Sequence, residues 1–261
     1  MDKHIFLLDT ESEYKSLNYE EPHIALTEDD GKVHYDKIKI IVNGYEFVDL
    51  GLSINWATCN IGAESPEEYG WYFQWGGTAP YNSDLKYAIG SSTSKISFGW
   101  NSYCALLYSG TTSNTVRWRK YTTIDSHSPT WVADNKTILE PEDDATHVHI
   151  GGESRMPTEE EYQELINACD ITWITDYNGT GINGRLFTLK TDPSNTLFFP
   201  AAGDLSGTGW YGARAVGYYW SSSLYSYNSL YGVGLEFDSD KCSIRNKDRY
   251  LGYSIRAVLP K

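Results

Sequence analysis

The stretch that decides the fold is Gly217–Val258, GYYWSSSLYSYNSLYGVGLEFDSDKCSIRNKDRYLGYSIRAV. Apolar Val233, Leu235 and Phe237 stand two apart, the spacing of a half-buried strand, so Gly234, Glu236 and Asp238 face the other way. Ser239-Asp240 supplies a turn, Cys242 and Ile244 resume the inner face, and Tyr253 to Val258 closes as a last strand. Between these strands the chain is too aromatic for ordinary solvated loops. Tyrosines fall at 218, 219, 225, 227, 231, 250 and 253 among Ser, Asn, Gly and Asp. Tyrosine combines a large, stiff contact area with a hydroxyl, and its small polar neighbours add adaptable hydrogen bonding, which is the composition of a binding loop. Strand propensity explains tyrosines in strands but not in turns.

The rest of the chain sets the bounds. Its 261 residues suffice for a full hydrophobic core. A composition 40% hydrophobic and 15% aromatic is that of a folded globular protein. The net charge of −14 opposes nucleic acid or an anionic membrane as the main partner. No apolar run reaches the length of a membrane span, so no membrane insertion is expected. The opening MDKHIFLLDTESEYK has a short apolar patch followed at once by acids, which is not a secretory signal. Cys59, Cys104, Cys169 and Cys242 form no CxxC pair and read as free thiols.

Residues 1–44 look like a separate small piece, and residues 45–261 like the main domain. In the first, Thr10-Glu11-Ser12-Glu13 predicts a short helix through Leu17. Asp29-Asp30-Gly31 and Asn43-Gly44 are hairpin turn signals. So small a piece must dock on the main domain or serve as an attachment or homo-oligomer contact. In the main domain, Ser65-Pro66-Glu67-Glu68 predicts a short helix. Thr158 with Glu161 is a capping box opening a second helix from Glu159 to Cys169, with Tyr162, Leu165, Ile166 and Cys169 on one side. Residues 76–135, rich in Ser, Thr, Asn and Tyr, read as long loops. Asn178-Gly179, Asn183-Gly184 and Asp192-Pro193 punctuate strands over 184–190 and 196–200. Two short helices, many short antiparallel strands and long loops make an α+β domain.

From Tyr45 onward the chain resembles a known family. The residues that carry the likeness are Tyr45-Glu46-Phe47-Val48-Asp49-Leu50-Gly51-Leu52-Ser53, Trp56-Ala57-Thr58-Cys59-Asn60-Ile61-Gly62-Ala63, and Phe73-Gln74-Trp75-Gly76. It continues in Arg155-Met156-Pro157-Thr158-Glu159-Glu160-Glu161-Tyr162, Phe199-Pro200-Ala201-Ala202-Gly203, Gly217-Tyr218-Tyr219-Trp220-Ser221-Ser222-Ser223 and Ser254-Ile255-Arg256-Ala257-Val258. Together these are similar to a paralogous domain family abundant in Bacteroidetes. That likeness covers about five-sixths of the chain and implies a C-type-lectin-like fold of the formylglycine-generating-enzyme type, used for ligand display.

Other motifs weigh less. Gly207-Thr208-Gly209-Trp210-Tyr211-Gly212 has dinucleotide-loop spacing but lacks a following helix, so it reads as a surface loop and no cofactor is expected. His147 and His149, two apart, would point the same way on a strand, the minimum for a metal pair. The resemblance instead implies a structural turn at Asp143-Asp144-Ala145, so no metal site is assigned there. The Glu-Pro-Asn, Gln-Pro-Asp and Trp-Asn-Asp signatures of calcium-dependent lectins are absent. Cys242 falls on an inward strand position, there is no Gly-x-Ser-x-Gly elbow, and no catalytic set is assigned, so the chain reads as no enzyme.

The C-terminal stretch further resembles the variable region of proteins diversified by retroelements in gut Bacteroidetes and their phages. That chemistry mutates template adenines and turns AAY codons into NNY, which never encode Glu, Lys, Gln, Met or Trp. Twelve positions match the pattern and are the expected ligand-binding set: Tyr225, Tyr227, Asn228, Leu230, Tyr231, Gly234, Ser243, Arg245, Asp248, Tyr250, Leu251 and Tyr253. Glu236, Lys241 and Lys247 break the rule and are expected to be fixed, or to stand on other codons in the template. The implied protein recognises a cell-surface protein or glycan, as a phage-tail receptor-recognition protein or surface adhesin. The absent signal favours a phage virion, or the cytoplasm as synthesised. The alternatives are a secreted, non-diversified adhesin of the same fold and, less so, a formylglycine-generating-type enzyme.

Overall fold

In the computed structural model, residues 40–88, 94–103, 106–109 and 116–261 are described, preceded by three short strands at 18–19, 24–26 and 33–35. The expected helix over 10–17, the Asp29-Asp30-Gly31 turn and Cys104 lie outside the described residues. In chain order the strands are β1 (Asn18–Tyr19), β2 (Ile24–Leu26), β3 (Val33–Tyr35), β4 (Ile40–Val42), β5 (Tyr45–Asp49), β6 (Ile54–Asn60), β7 (Leu107–Ser109) and β8 (Arg117–Trp118). Helices α1 (Ala145–His149) and α2 (Glu159–Ala168) follow. Then come β9 (Cys169–Ile174), β10 (Gly184–Leu189), β11 (Thr196–Pro200), β12 (Asp204–Ser206), β13 (Gly209–Tyr211), β14 (Gly217–Leu224), β15 (Tyr231–Phe237), β16 (Cys242–Asp248) and β17 (Arg256–Pro260). The result is a sheet-rich α+β architecture of antiparallel strands with few, short helices.

Asn43 and Gly44 both take positive φ, 46° and 86°, so β4 and β5 close as a tight hairpin whose twist matches its strands. With β1, β6 and β17 they form a five-stranded sheet in the order β1-β4-β5-β6-β17. Strands from the first 44 residues therefore extend the sheet of the main domain. Strand β6, INWATCN, is buried almost throughout because both faces of this sheet are covered. Alternation sends Ile54 and Trp56 into one core and Ala57 into the other. Strand β17 obeys the same parity, Val258 on the Trp56 side and Ala257 and Leu259 opposite.

The core around Trp56 is closed by α2 and by the sheet β14-β15-β16. Thr158 and Glu161 make the expected capping box, and Tyr162 and Leu165 are fully buried. Across the sheet, Tyr219 pairs with Leu235 and Leu235 with Ile244, all packed on this core, and Phe237 pairs with Cys242 beside them. The inward reading of Val233, Leu235 and Phe237 holds, at 2%, 1% and 0% exposure.

Three local expectations change. Ser65-Pro66-Glu67-Glu68 is a single turn, Glu68 N donating to Ser65 O at 3.2 Å, with no helix. It is confined between Gly62 and Gly70, whose φ of 79° and 67° reverse the chain before a second helical turn can form. The other helix is α1, capped by Asp144, which accepts from Thr146 N at 2.8 Å and His147 N at 3.2 Å. His147 and His149 therefore sit on a helix and not a strand, where residues two apart diverge. His149 is turned inward against Trp71 and Phe73, with Nε2 2.8 Å from Thr78 O. The last strand starts at Arg256, and Tyr253 instead makes an isolated bridge to Phe73. The Gly207–Gly212 loop is a surface hairpin, β12-β13, that exposes Trp210 and Tyr211. The described residues of 76–135 are largely loop, as expected.

Candidate functional site

Two turns leave the β14-β15-β16 sheet at one end. The first, over 225–230, is tied by Asn228 N to Tyr225 O at 3.1 Å and Tyr225 N to Tyr231 O at 3.1 Å. It buries Ser229 and Leu230 and holds Tyr227 out in solvent at 82% exposure. The second, over 249–252, is pinned from inside. The Arg249 side chain is fully buried between Trp75 and Trp118, its guanidinium 4.7 and 4.2 Å from their ring centres, and donates to Tyr121 O. Cation–π contact to two rings fixes this turn against the 76–135 loops.

The pinned turns bring tyrosines together. Tyr225 lies 5.6 Å from Tyr227 and 6.3 Å from Tyr231, ring to ring. Tyr231 pairs with Asp248 across β15-β16, and Asp248 hydrogen-bonds Tyr250. Burial, then the Asp248 charge and hydrogen bond, hold the Tyr250 hydroxyl above its ordinary pKa. The Tyr250 ring meets Trp100 edge-on at 4.7 Å. Beside this strip, Lys247 Nζ is 2.8 Å from Glu236 and 5.2 Å from the Tyr218 ring centre. Asp204 lies next to them, because Gly203 bridges Gly217 and Leu205 bridges Gly252. Burial pushes its carboxyl up to about 6, opposed by the Lys247 charge. Aromatic faces, phenol hydroxyls and a few carboxylates suit non-covalent recognition.

The twelve expected residues divide. Tyr225, Tyr227, Asn228, Tyr231, Asp248, Tyr250 and Leu251 lie on or beside the strip, half-buried except for Tyr227. Ser243 and Arg245 sit on β16, Arg245 exposed and Ser243 half-buried with no hydrogen-bond partner for its hydroxyl. Leu230, Gly234 and Tyr253 are corrections, for all three are buried. Tyr253 stacks between Tyr218 at 5.0 Å and Trp220 at 4.3 Å, so it is core and not display surface. A Cβ on Gly234 would stand 2.5 Å from Tyr219 O, so any larger residue there collides with the neighbouring strand. Leu230 fills the core under the first turn.

Sequence reasoning missed Trp100, Asp204 and Tyr218. Tyr218 had a signal, since it occupies the strand face opposite inward Tyr219. Trp100 and Asp204 arrive through long-range contacts that no local pattern announces.

Elsewhere Glu140, Glu142 and Asp143 converge, their oxygens within 4.8 Å of one another. Lys120 Nζ lies 2.8 Å from a carboxylate oxygen of each, so the chain's own ammonium occupies the centre of the cluster. No helix among the described residues is long and apolar enough to cross a membrane. No protein-family model, curated protein or solved structure matches the chain.

Proposed function

We propose that the chain is a ligand-binding protein of C-type-lectin-like, formylglycine-generating-enzyme-type fold that recognises a cell-surface protein or glycan through its C-terminal stretch. The observation that carries this reading is the strip Tyr227-Tyr225-Tyr231-Tyr250, presented by two turns whose bases are buried. Large amphipathic rings on a rigid support lose little entropy on binding, which favours recognition. The resemblance to retroelement-diversified proteins supports variation at the exposed positions, in a phage-tail or adhesin protein.

Two measurements test the reading. Sequencing the flanking DNA should reveal a reverse-transcriptase gene and an adenine-mismatched copy of codons 217–258; a neighbourhood without them sinks the diversification. Replacing Tyr225 and Tyr227 together by Ala should abolish adhesion of the labelled protein to cells that the wild type coats. Undiminished adhesion would place recognition elsewhere.

A further inference from the structure

Four large apolar side chains among the described residues are more than half exposed: Trp131 at 64%, Val132 at 67%, Tyr211 at 56% and Tyr227 at 82%. Tyr211 belongs to the separate β12-β13 hairpin. The other three sit on two loops whose bases are hydrogen-bonded together. Thr123 Oγ1 donates to Ser226 O at 2.6 Å, Thr123 N donates to Ser229 Oγ at 3.1 Å, and Ser229 Oγ donates to Thr122 Oγ1 at 3.3 Å. The loop carrying Trp131 is also braced within itself. Asp134 accepts from Tyr121 N and Thr122 N at 2.8 Å each, and Asp125 accepts from Ala133 N at 2.8 Å.

On that brace Trp131 adopts a φ of 58°, a conformation that bulky residues avoid. Its ring stays largely exposed, with the Arg117 guanidinium 5.5 Å from its centre. Strain held by the surroundings, at an exposed apolar side chain, motivates a functional reading.

We propose that Trp131 and Val132 form a second arm of the recognition surface, which together with Tyr225 and Tyr227 grips an apolar side chain from a neutral or basic protein segment. This rests on the function proposed above and narrows its ligand to protein. Val132 offers neither a flat stacking face nor a hydrogen bond, so a sugar gains less from it than an apolar side chain does by burial. The net charge of −14 and Asp248 beside the tyrosine strip outweigh the Arg117 cation beside Trp131 and favour a partner without excess acid. Trp and Tyr in one patch are also the residue types that dominate protein hot spots.

The test pans a phage-displayed library of random linear peptides against the wild type. Each enriched peptide is titrated by fluorescence polarisation against the wild type, Trp131→Gly, Val132→Ser and Tyr231→Ala, with Tm recorded for each protein. Enriched peptides should carry an apolar anchor with neutral or basic flanks and bind Trp131→Gly on the order of tenfold or more weakly. Trp131→Gly should melt no lower than the wild type, because glycine takes this φ without steric cost. Equal affinity for Trp131→Gly and Val132→Ser overturns the second arm, and so does a Trp131→Gly that melts far earlier. Loss on Tyr231→Ala alone leaves the tyrosine surface standing and removes only this extension; loss on none of the variants removes both. A library yielding no binder, with binding confined to a glycan array, overturns the protein partner.

Discussion

Arg256 is a buried cation with no carboxylate among its acceptors. Its side chain is wholly enclosed. Nε donates to Asn60 Oδ1 at 3.0 Å, Nη1 to Ala57 O at 3.1 Å and to Thr58 O, and Nη2 to Phe198 O at 2.9 Å. The guanidinium carbon sits 4.5 Å from the Phe199 ring centre. One planar fork thus joins β6, β11 and β17, and burial lowers the Arg256 pKa from its ordinary value. Arg256→Ala leaves four acceptors without that donor. At about 1 kcal/mol each, the low end for abandoned acceptors because carbonyls keep a second lone pair, the loss is about 4 kcal/mol. That is a large part of the roughly 5–15 kcal/mol that holds a domain together. Arg256→Lys keeps the charge, but its compact ammonium has three donors and no fork, so it should lose about half as much. Arg256→Met fills the volume but leaves the same four acceptors without a donor, so it should lose more than the lysine variant and less than alanine. Denaturant titration with unchanged m-values reads all three. A loss below about 1 kcal/mol for Arg256→Ala, or a lysine variant as stable as the wild type, would refute the claim that this fork ties the strands.

Two further outcomes follow from burial and charge. Tyr253→Ala should cost about 3–5 kcal/mol, as for other buried aromatics, whereas Tyr227→Ala should stay within about 0.5 kcal/mol; equal losses in thermal unfolding would mean that the exposed strip is misassigned. Asp204 has its folded pKa raised to about 6, so the native state binds more protons than the unfolded chain between about pH 4 and 6. Its contribution to stability is therefore largest below that window and is lost as pH rises through it. With solvent screening the change is about 1–2 kcal/mol. The stability difference between Asp204→Asn and wild type should shift in favour of the variant from pH 4 to 7, and a flat difference would show Asp204 to be ordinarily solvated.

Much of the scaffold is legible locally. The period-two run through Val233, Leu235 and Phe237, the Thr158–Glu161 box and the Asn43-Gly44 turn each place an element, because each rests on neighbours in sequence. The display surface is legible only in part. Tyr253 and Tyr227 look alike as tyrosines in a polar run, yet one is stacked between two rings in the core and the other stands in solvent. What separates them is Phe73, whose backbone pairs with Tyr253 from far upstream, and that contact leaves no trace in the local pattern. Gly234 fails for a related reason. Its codon class permits variation, but the Tyr219 carbonyl of the adjacent strand does not. The helix read into 65–68 shows the converse limit, where a good start signal stands on a segment too short to propagate.

Strand β17 lies downstream of both tyrosine-bearing turns and completes the sheet beside β6. It also delivers Arg256, Ala257 and Val258 to the centre of the molecule, each 0% exposed. A ribosome must therefore translate the whole display segment before the chain can close. A stop codon or frameshift anywhere within it leaves β6 as an open edge and both cores without a wall. Such products would go to proteolysis. The fold thus closes only when every codon before the final strand has been read through in frame.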